Sequence, residues 1–414
     1  MQVLKNISRL YRMPPGGAAG EVDAVADAAV VWEGESIRYA GPAAALPEEY
    51  AKAESFDAGG RCAVPGLIDC HTHLCFGGWR GDEFAARLEG ATYQEIQAAG
   101  GGILSTVRAT RETDAATLAD KAARALGDMA RLGVTTVEAK SGYGLTSADE
   151  IKQLDVYRQL AGSQPLEIVP TFLGAHLVPP EFSENPDGYV DLICREMIPE
   201  TARRGLARFC DVFIEKGAFT LEQGRRILET AREHGLGLKI HADQLSTGGG
   251  ARLAGELGAV SAEHLEYAGA DGMAAMAGAG TVAVSLPVAS LYLKENYMDA
   301  AAWKAAGVRV AVATDFNPGS APSYHLHMAL VLACLNQGMS PAEAVQGATT
   351  HAARAIGLEK SHGSLLPGYR ADLALIDAPD LNHWIYHFRP DACAGTLKGG
   401  AWIFQNTARP APSR

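Results

Sequence analysis

The sequence predicts an α/β chain, a (β/α)8 barrel of the TIM type carrying a small β-sandwich domain built from both chain termini. Three observations predict it. Between about residues 63 and 360, short apolar runs alternate with Ala/Leu/Glu/Arg-rich amphipathic stretches, the rhythm of βα units. The two flanks instead show apolar runs cut by Gly and Pro turns, the pattern of short antiparallel strands. The polar residues able to do chemistry collect just after the central runs, where a barrel places its reactive mouth.

In chain order, the 1–62 segment supplies strands around Ala28–Trp32 and Ile37–Ala40, forming one half of the small domain. Eight barrel strands follow within 63–360: Ala63–Asp69, Thr135–Ala139, Ile168–Leu173, Cys210–Ile214, Gly237–Ile240, Val260–Glu263, Thr281–Leu286 and Val308–Ala313. The 361–414 segment returns to strands and turns in GSLLPGYRADLALIDAP and GTLKGGAWIFQN, the other half of the small domain. Two glycine clusters interrupt the barrel pattern, Ala99 to Ile103 and Gly248-Gly249-Gly250. Neither is followed by Gly-Lys-Ser/Thr, so each reads as a loop or helix start and no nucleotide is implied.

The chain has 414 residues, 47% of them apolar, enough for a large catalytic core and a smaller one. Its 36 basic against 48 acidic residues give a formal charge of −12, which argues against nucleic acid or an anionic membrane as partner. A single arginine can still bind a small anion. The seven cysteines are scattered, odd in number and without a CxxC pair, which fits a reducing cytoplasm. No stretch approaches the roughly 18 apolar residues of a membrane span, so a soluble protein is expected.

The first barrel strand ends in His71-Thr72-His73. Side chains two apart on a strand share a face, so one ion can reach both imidazoles. Later strand ends offer Tyr143, His176, Glu215, His241, His264 and Asp315. Among these, His71, His73, His241 and Asp315 make a set suited to one Zn(II) or Fe ion per subunit. Such an ion lowers the pKa of bound water to near 7 and supplies a nucleophile.

The segments PGLIDCHTH, KIHADQ, SAEHLE and ATDFNPG resemble the amidohydrolase superfamily over nearly the whole chain. More narrowly, HTHLCFGGWRGDEFAARLEG, AAGGGILSTVRATR, AKSGYGL, FLGAHLVP, DVFIEKGAF and ATDFNPGS resemble the imidazolonepropionases. That resemblance implies hydrolytic ring opening of 4-imidazolone-5-propanoate to N-formimidoyl-L-glutamate by a metal-activated water, in histidine degradation. It implies His71, His73, His241 and Asp315 as metal ligands, with Asp315 and His264 catalytic. It also implies Arg80, Tyr143, His176, Gln244, Asn317, Gly319 and Ser320 as substrate contacts, with Arg80 on the propionate. A cytoplasmic homodimer acting on a small molecule is the expected form.

Three rival readings attach to particular residues. A heterocycle deaminase needs a proton-transferring acid where Gln244 stands, and Gln cannot move protons. Glu215 and Lys216 lie where two-metal, hydantoinase-like relatives place a bridging group. A non-catalytic binding or assembly protein on the same scaffold would not need the intact ligand set.

Overall fold

The computed structural model describes residues 1–91, 95 and 100–406. Ala99, at the start of the first glycine cluster, and the last residues of the 361–414 segment, 407–414, lie outside the described residues.

One sheet is built from both ends of the chain. It contains β1 (Gln2–Tyr11), β2 (Ala24–Glu33), β3 (Ser36–Pro42), β4 (Glu54–Asp57) and β5 (Cys62–Pro65). From the other end come β14 (Leu373–Ile376), β15 (Cys393–Lys398) and β16 (Ala401–Gln405). The order is β16-β15-β14-β5-β1-β2-β3, with β4 on the flank of β1. The sheet folds back on itself: Ile37 N–H of β3 donates to Tyr369 O, ahead of β14, at 2.9 Å, and Trp32 Nε1 of β2 to Gly400 O, between β15 and β16, at 3.0 Å. Leu4, Ile7, Val30, Trp32, Leu373 and Leu397 are buried in the fold of this sandwich.

The second sheet contains β6 (Leu67–Asp69), β7 (Val134–Lys140), β8 (Glu167–Ala175) and β9 (Phe209–Ile214). It continues through β10 (Gly237–Ala242), β11 (Ser261–His264), β12 (Val282–Ser285) and β13 (Val310–Val312). All neighbours are parallel and follow chain order, with helices between them, as in a (β/α)8 barrel. Helix Ala115–Arg131 is typical of the outer ring. Asp114 caps it by accepting from Thr117 N–H, and Leu118, Ala122, Leu126 and Met129 form its buried stripe.

The apolar run from Ala63 to Asp69 does not form one barrel strand. Ala63 to Pro65 pair with β14 of the small sheet, and only Leu67–Asp69 joins the barrel. The switch occurs at Gly66, whose N–H goes to Asp372 O of the small sheet while the next N–H, of Leu67, goes to Gly133 O. A Cβ at residue 66 would lie 2.4 Å from Thr135, so only glycine lets the chain cross there.

The barrel closes just beyond the ends of β6 and β13. His73 N–H donates to Phe316 O at 2.8 Å and Asp315 N–H to His71 O at 3.1 Å. Below them, the Asp69 carboxylate takes the Thr314 hydroxyl at 2.6 Å and the Thr314 N–H at 3.1 Å. Complete burial pushes Asp69 up to about 7, against the pull of those donors.

Candidate metal centre and active-site cavity

This closure seam brings the expected ligands together. Asp315 Oδ1 lies 3.4 Å from His71 Nε2 and 3.4 Å from His73 Nε2, and His241 Nε2 lies 3.4 Å from His73 Nε2. Donors around a tetrahedral ion with bonds of about 2.1 Å are separated by roughly 3.4 Å, the edge of that tetrahedron. Both ring nitrogens of His71 are buried and have no hydrogen-bond partner. A buried imidazole with neither nitrogen bonded is costly unless another group, such as a cation on the nitrogen that carries the lone pair, engages it.

The electrostatics suit the same use. Burial, helped by Lys140, holds His71 well below the usual imidazole range, and burial brings His241 down to about 4. Both rings are therefore neutral and able to ligate near neutrality. Burial works against ionisation of Asp315, but His73 and His264 outweigh it and keep the carboxylate ionised. Asp315 and His264 have left-handed φ values of 57° and 73°. Such backbone costs about 1–3 kcal/mol for a non-glycine residue and persists where the surrounding contacts over-determine it.

Beneath His241 lies a layer of buried charge that the sequence reading did not assign. Asp211 Oδ2 is 3.0 Å from His241 Nδ1, which leaves Nε2 for the centre. Lys140 Nζ lies 2.7 Å from Asp211 and 2.9 Å from Glu138, and Lys239 Nζ lies 3.3 Å from both Glu138 and Glu263. Each charge is paired, as burial requires. The available signal was spacing: Glu138 and Lys140, and Lys239 and His241, stand two apart on their strands and so face the barrel interior together.

Above the ligands opens a cavity of about 170 Å³ lined by all the expected site residues except the fully buried His71. His73 stacks on His176 with centroids 5.1 Å apart, and the Tyr143 ring lies 5.3 Å from His176. His176 Nδ1 is fixed on Gly142 O at 3.0 Å, so its other nitrogen is the one left for a ligand. Glu150 holds the Tyr143 loop by accepting from the N–H groups of Gly142, Gly144 and Leu145 at 2.8–3.0 Å. Burial pushes the Tyr143 phenol well above its ordinary pKa, so it stays protonated. Asn317 spends its amide on its own turn, donating to Asp315 O and accepting from Gly319 and Ser320 N–H. Gln244 lines the wall beside His241.

Two further features of the sequence have partners within the chain. Glu215 accepts from Leu245 N–H at 2.9 Å, Ser246 N–H at 3.2 Å and Lys216 N–H at 2.9 Å, with the Ser246 hydroxyl added. Its oxygens are thus engaged in anchoring the loop after β10, and Glu215 belongs to no His/Cys/Asp/Glu donor cluster among the described residues, while Lys216 is exposed. A bridging role between two metals is therefore not supported. The Gly248-Gly249-Gly250 cradle is filled by Asp243, which accepts from four successive N–H groups at 2.7–3.3 Å. The chain's own carboxylate sits where a phosphate would.

Barrel, seam and donor set together define a metal-dependent hydrolase of the amidohydrolase type. The model of the amidohydrolase family matches residues 62–403, and the chain belongs to that family. Among solved structures, an adenosine deaminase from Xanthomonas campestris with bound zinc aligns with a TM-score of 0.72 at 17% identity, covering 97% of this chain and 92% of that one. A 5-methylcytosine deaminase from Klebsiella pneumoniae aligns with a TM-score of 0.75 at 17% identity, covering 99% and 98%. At such identities these show the fold alone.

Relatives named imidazolonepropionase place the chain more narrowly. The one from Geobacillus kaustophilus (strain HTA426) is 49% identical over 353 residues, 85% of this chain and 83% of that protein. The one from Alkaliphilus metalliredigens (strain QYMF) is 42% identical over 412 residues, 97% of each.

Proposed function

We propose that this chain hydrolyses the cyclic amide of 4-imidazolone-5-propanoate to N-formimidoyl-L-glutamate. The observation that carries this reading is the gathering of His71 and His73 on Asp315, with His241 3.4 Å from His73, beneath a cavity that also holds Arg80. A divalent ion on those four side chains would act as a Lewis acid and bring a coordinated water toward a pKa near 7.

The protein's own groups do the rest. The Arg80 guanidinium anchors the propionate, fixing the amide carbon against the attacking water. His176 and Tyr143 wall the ring and offer it a nitrogen and a phenol. Burial opposes a charge on His264, but Glu266 and Asp315 outweigh it and leave its pKa raised, which suits a donor to the carbonyl oxygen as negative charge develops there. Asp315 accepts the proton of the attacking water and returns it to the ring nitrogen as the C–N bond breaks. Gln244 hydrogen-bonds the ring without moving a proton.

One zinc or iron ion per chain completes this reading, and metal analysis of the purified protein tests it. The unpaired state of all seven cysteines supports a cytoplasmic setting. A homodimer, suggested by the resemblance, is tested by sedimentation. Purified protein should consume imidazolonepropanoate absorbance and yield formimidoylglutamate, and chelation should stop both. Ammonia release without ring opening would instead indicate a deaminase.

A further inference from the structure

The Arg80 guanidinium is held along one edge only. Its Nε donates to Glu83 Oε2 at 2.9 Å, and among the described residues neither Nη nitrogen has an acceptor. One face lies so close to Gly319 that a Cβ there would be 2.1 Å from Nη1. The other Glu83 oxygen takes Gly102 N–H at 2.9 Å and the Ser105 hydroxyl at 3.1 Å. Glu83 therefore ties the start of helix Gly81–Leu88 to the start of helix Ile103–Glu112 beside the cavity.

We propose that Glu83 is a positioning residue for carboxylate recognition, holding the Nε edge of Arg80 so that the paired Nη edge is presented to the substrate tail. This rests on the reading that the cavity takes a propionate. A guanidinium has two edges able to grip a carboxylate, and a free arginine offers either one. Glu83 occupies one edge and the guanidinium packs closely on Gly319, so the Nη edge is the one left for a bidentate contact. Both Glu83 oxygens are engaged, one by Arg80 and the other by Gly102 and Ser105. Without Glu83, Arg80 keeps its charge but loses its aim.

The test is calorimetric titration of metal-loaded protein with imidazole-4-propanoate, whose ring cannot be hydrolysed, beside kinetics on 4-imidazolone-5-propanoate. Glu83→Ala and Arg80→Ala should each weaken imidazole-4-propanoate binding by about tenfold to a hundredfold, and the double variant should bind no worse than Arg80→Ala alone. Glu83→Ala should leave the inhibition constant of 4-methylimidazole, which lacks the carboxylate, at its wild-type value. Losses that multiply in the double variant, equal weakening of both probes, or wild-type binding by Glu83→Ala would overturn the proposal. Should Glu83→Ala not fold, Glu83→Gln, which keeps one acceptor oxygen, is read by the same coupling. If the wild type binds imidazole-4-propanoate but does not open the imidazolone, the functional reading fails while the titration still decides the role of Glu83.

Discussion

Replacing Gly319 by alanine isolates the aim of Arg80 from its charge. Gly319 does not have a left-handed φ, so alanine is permitted by the backbone and the substitution acts through space alone. The new Cβ would stand 2.1 Å from Arg80 Nη1 and 2.6 Å from Cζ, whereas ordinary contact begins at 3.4 Å, so the guanidinium must retreat by about 1.3 Å. A misplacement of about 1 Å in a substrate-positioning group costs on the order of a hundredfold in rate, or about 2.7 kcal/mol of transition-state stabilisation. Steady-state kinetics on imidazolonepropanoate should therefore show kcat/KM falling by roughly two orders of magnitude, with Tm and bound metal unchanged. A folded, metal-loaded Gly319→Ala enzyme with wild-type kcat/KM would refute the reasoning, because it would mean that Arg80 moves freely or does not bind the tail.

Three further outcomes follow from other parts of the molecule. Removing the ion with a chelator should abolish turnover and lower Tm, since a ligand held at a hundred times its Kd adds about 2.7 kcal/mol to folding stability; a protein whose melting is indifferent to chelation contradicts this. Asp211→Asn should weaken metal affinity about tenfold to a hundredfold in a competitive chelator titration, because Asp211 holds His241 Nδ1 and so exposes Nε2; unchanged affinity would remove Asp211 from that role. Glu167 lies 3.0 Å from His362 Nε2 and 2.9 Å from Lys398 Nζ, joining barrel to small sheet. Burial opposes its ionisation, but these partners hold its pKa far below the ordinary 4.5. The stability it contributes is thus complete above pH 4.5 and is lost as the pH falls through the folded-state value. The Tm gap between wild type and Glu167→Gln should be widest near neutrality and close on acidification, and a gap that widens in acid would contradict the assignment.

The barrel was legible because parallel strands buried on both faces are written as continuous apolar runs, so Val134–Lys140 and Glu167–Ala175 stand close to the stretches read from sequence. Continuity also misled: nothing in Ala63 to Asp69 marks the crossing between sheets except Gly66, whose need for close approach to Thr135 is a tertiary fact. The histidines and Asp315 were legible from their places at strand ends. Asp211 and Glu263 were not, because a single acid in a short strand carries no sign of the lysine it meets from another strand. The role of Glu215 stayed open in the sequence for a related reason. Its position beyond β9 suggests a ligand, but its partners are backbone groups of residues 245 and 246, which the fold brings back to it.

The closing seam gives the donor set a place in time as well as in space. His71 and His73 leave the ribosome long before Asp315, and the two ends of the barrel cannot meet until the intervening polypeptide has been made and coiled round. A nascent chain released as far as His241 holds three imidazoles but neither the carboxylate nor the Asp315–His71 hydrogen bond that sets their spacing. Long-range contacts of this kind form late, after the entropy of closing a very large loop has been overcome. On the proposed reading, a truncated or half-assembled product lacks the full donor set and would not hold the cation.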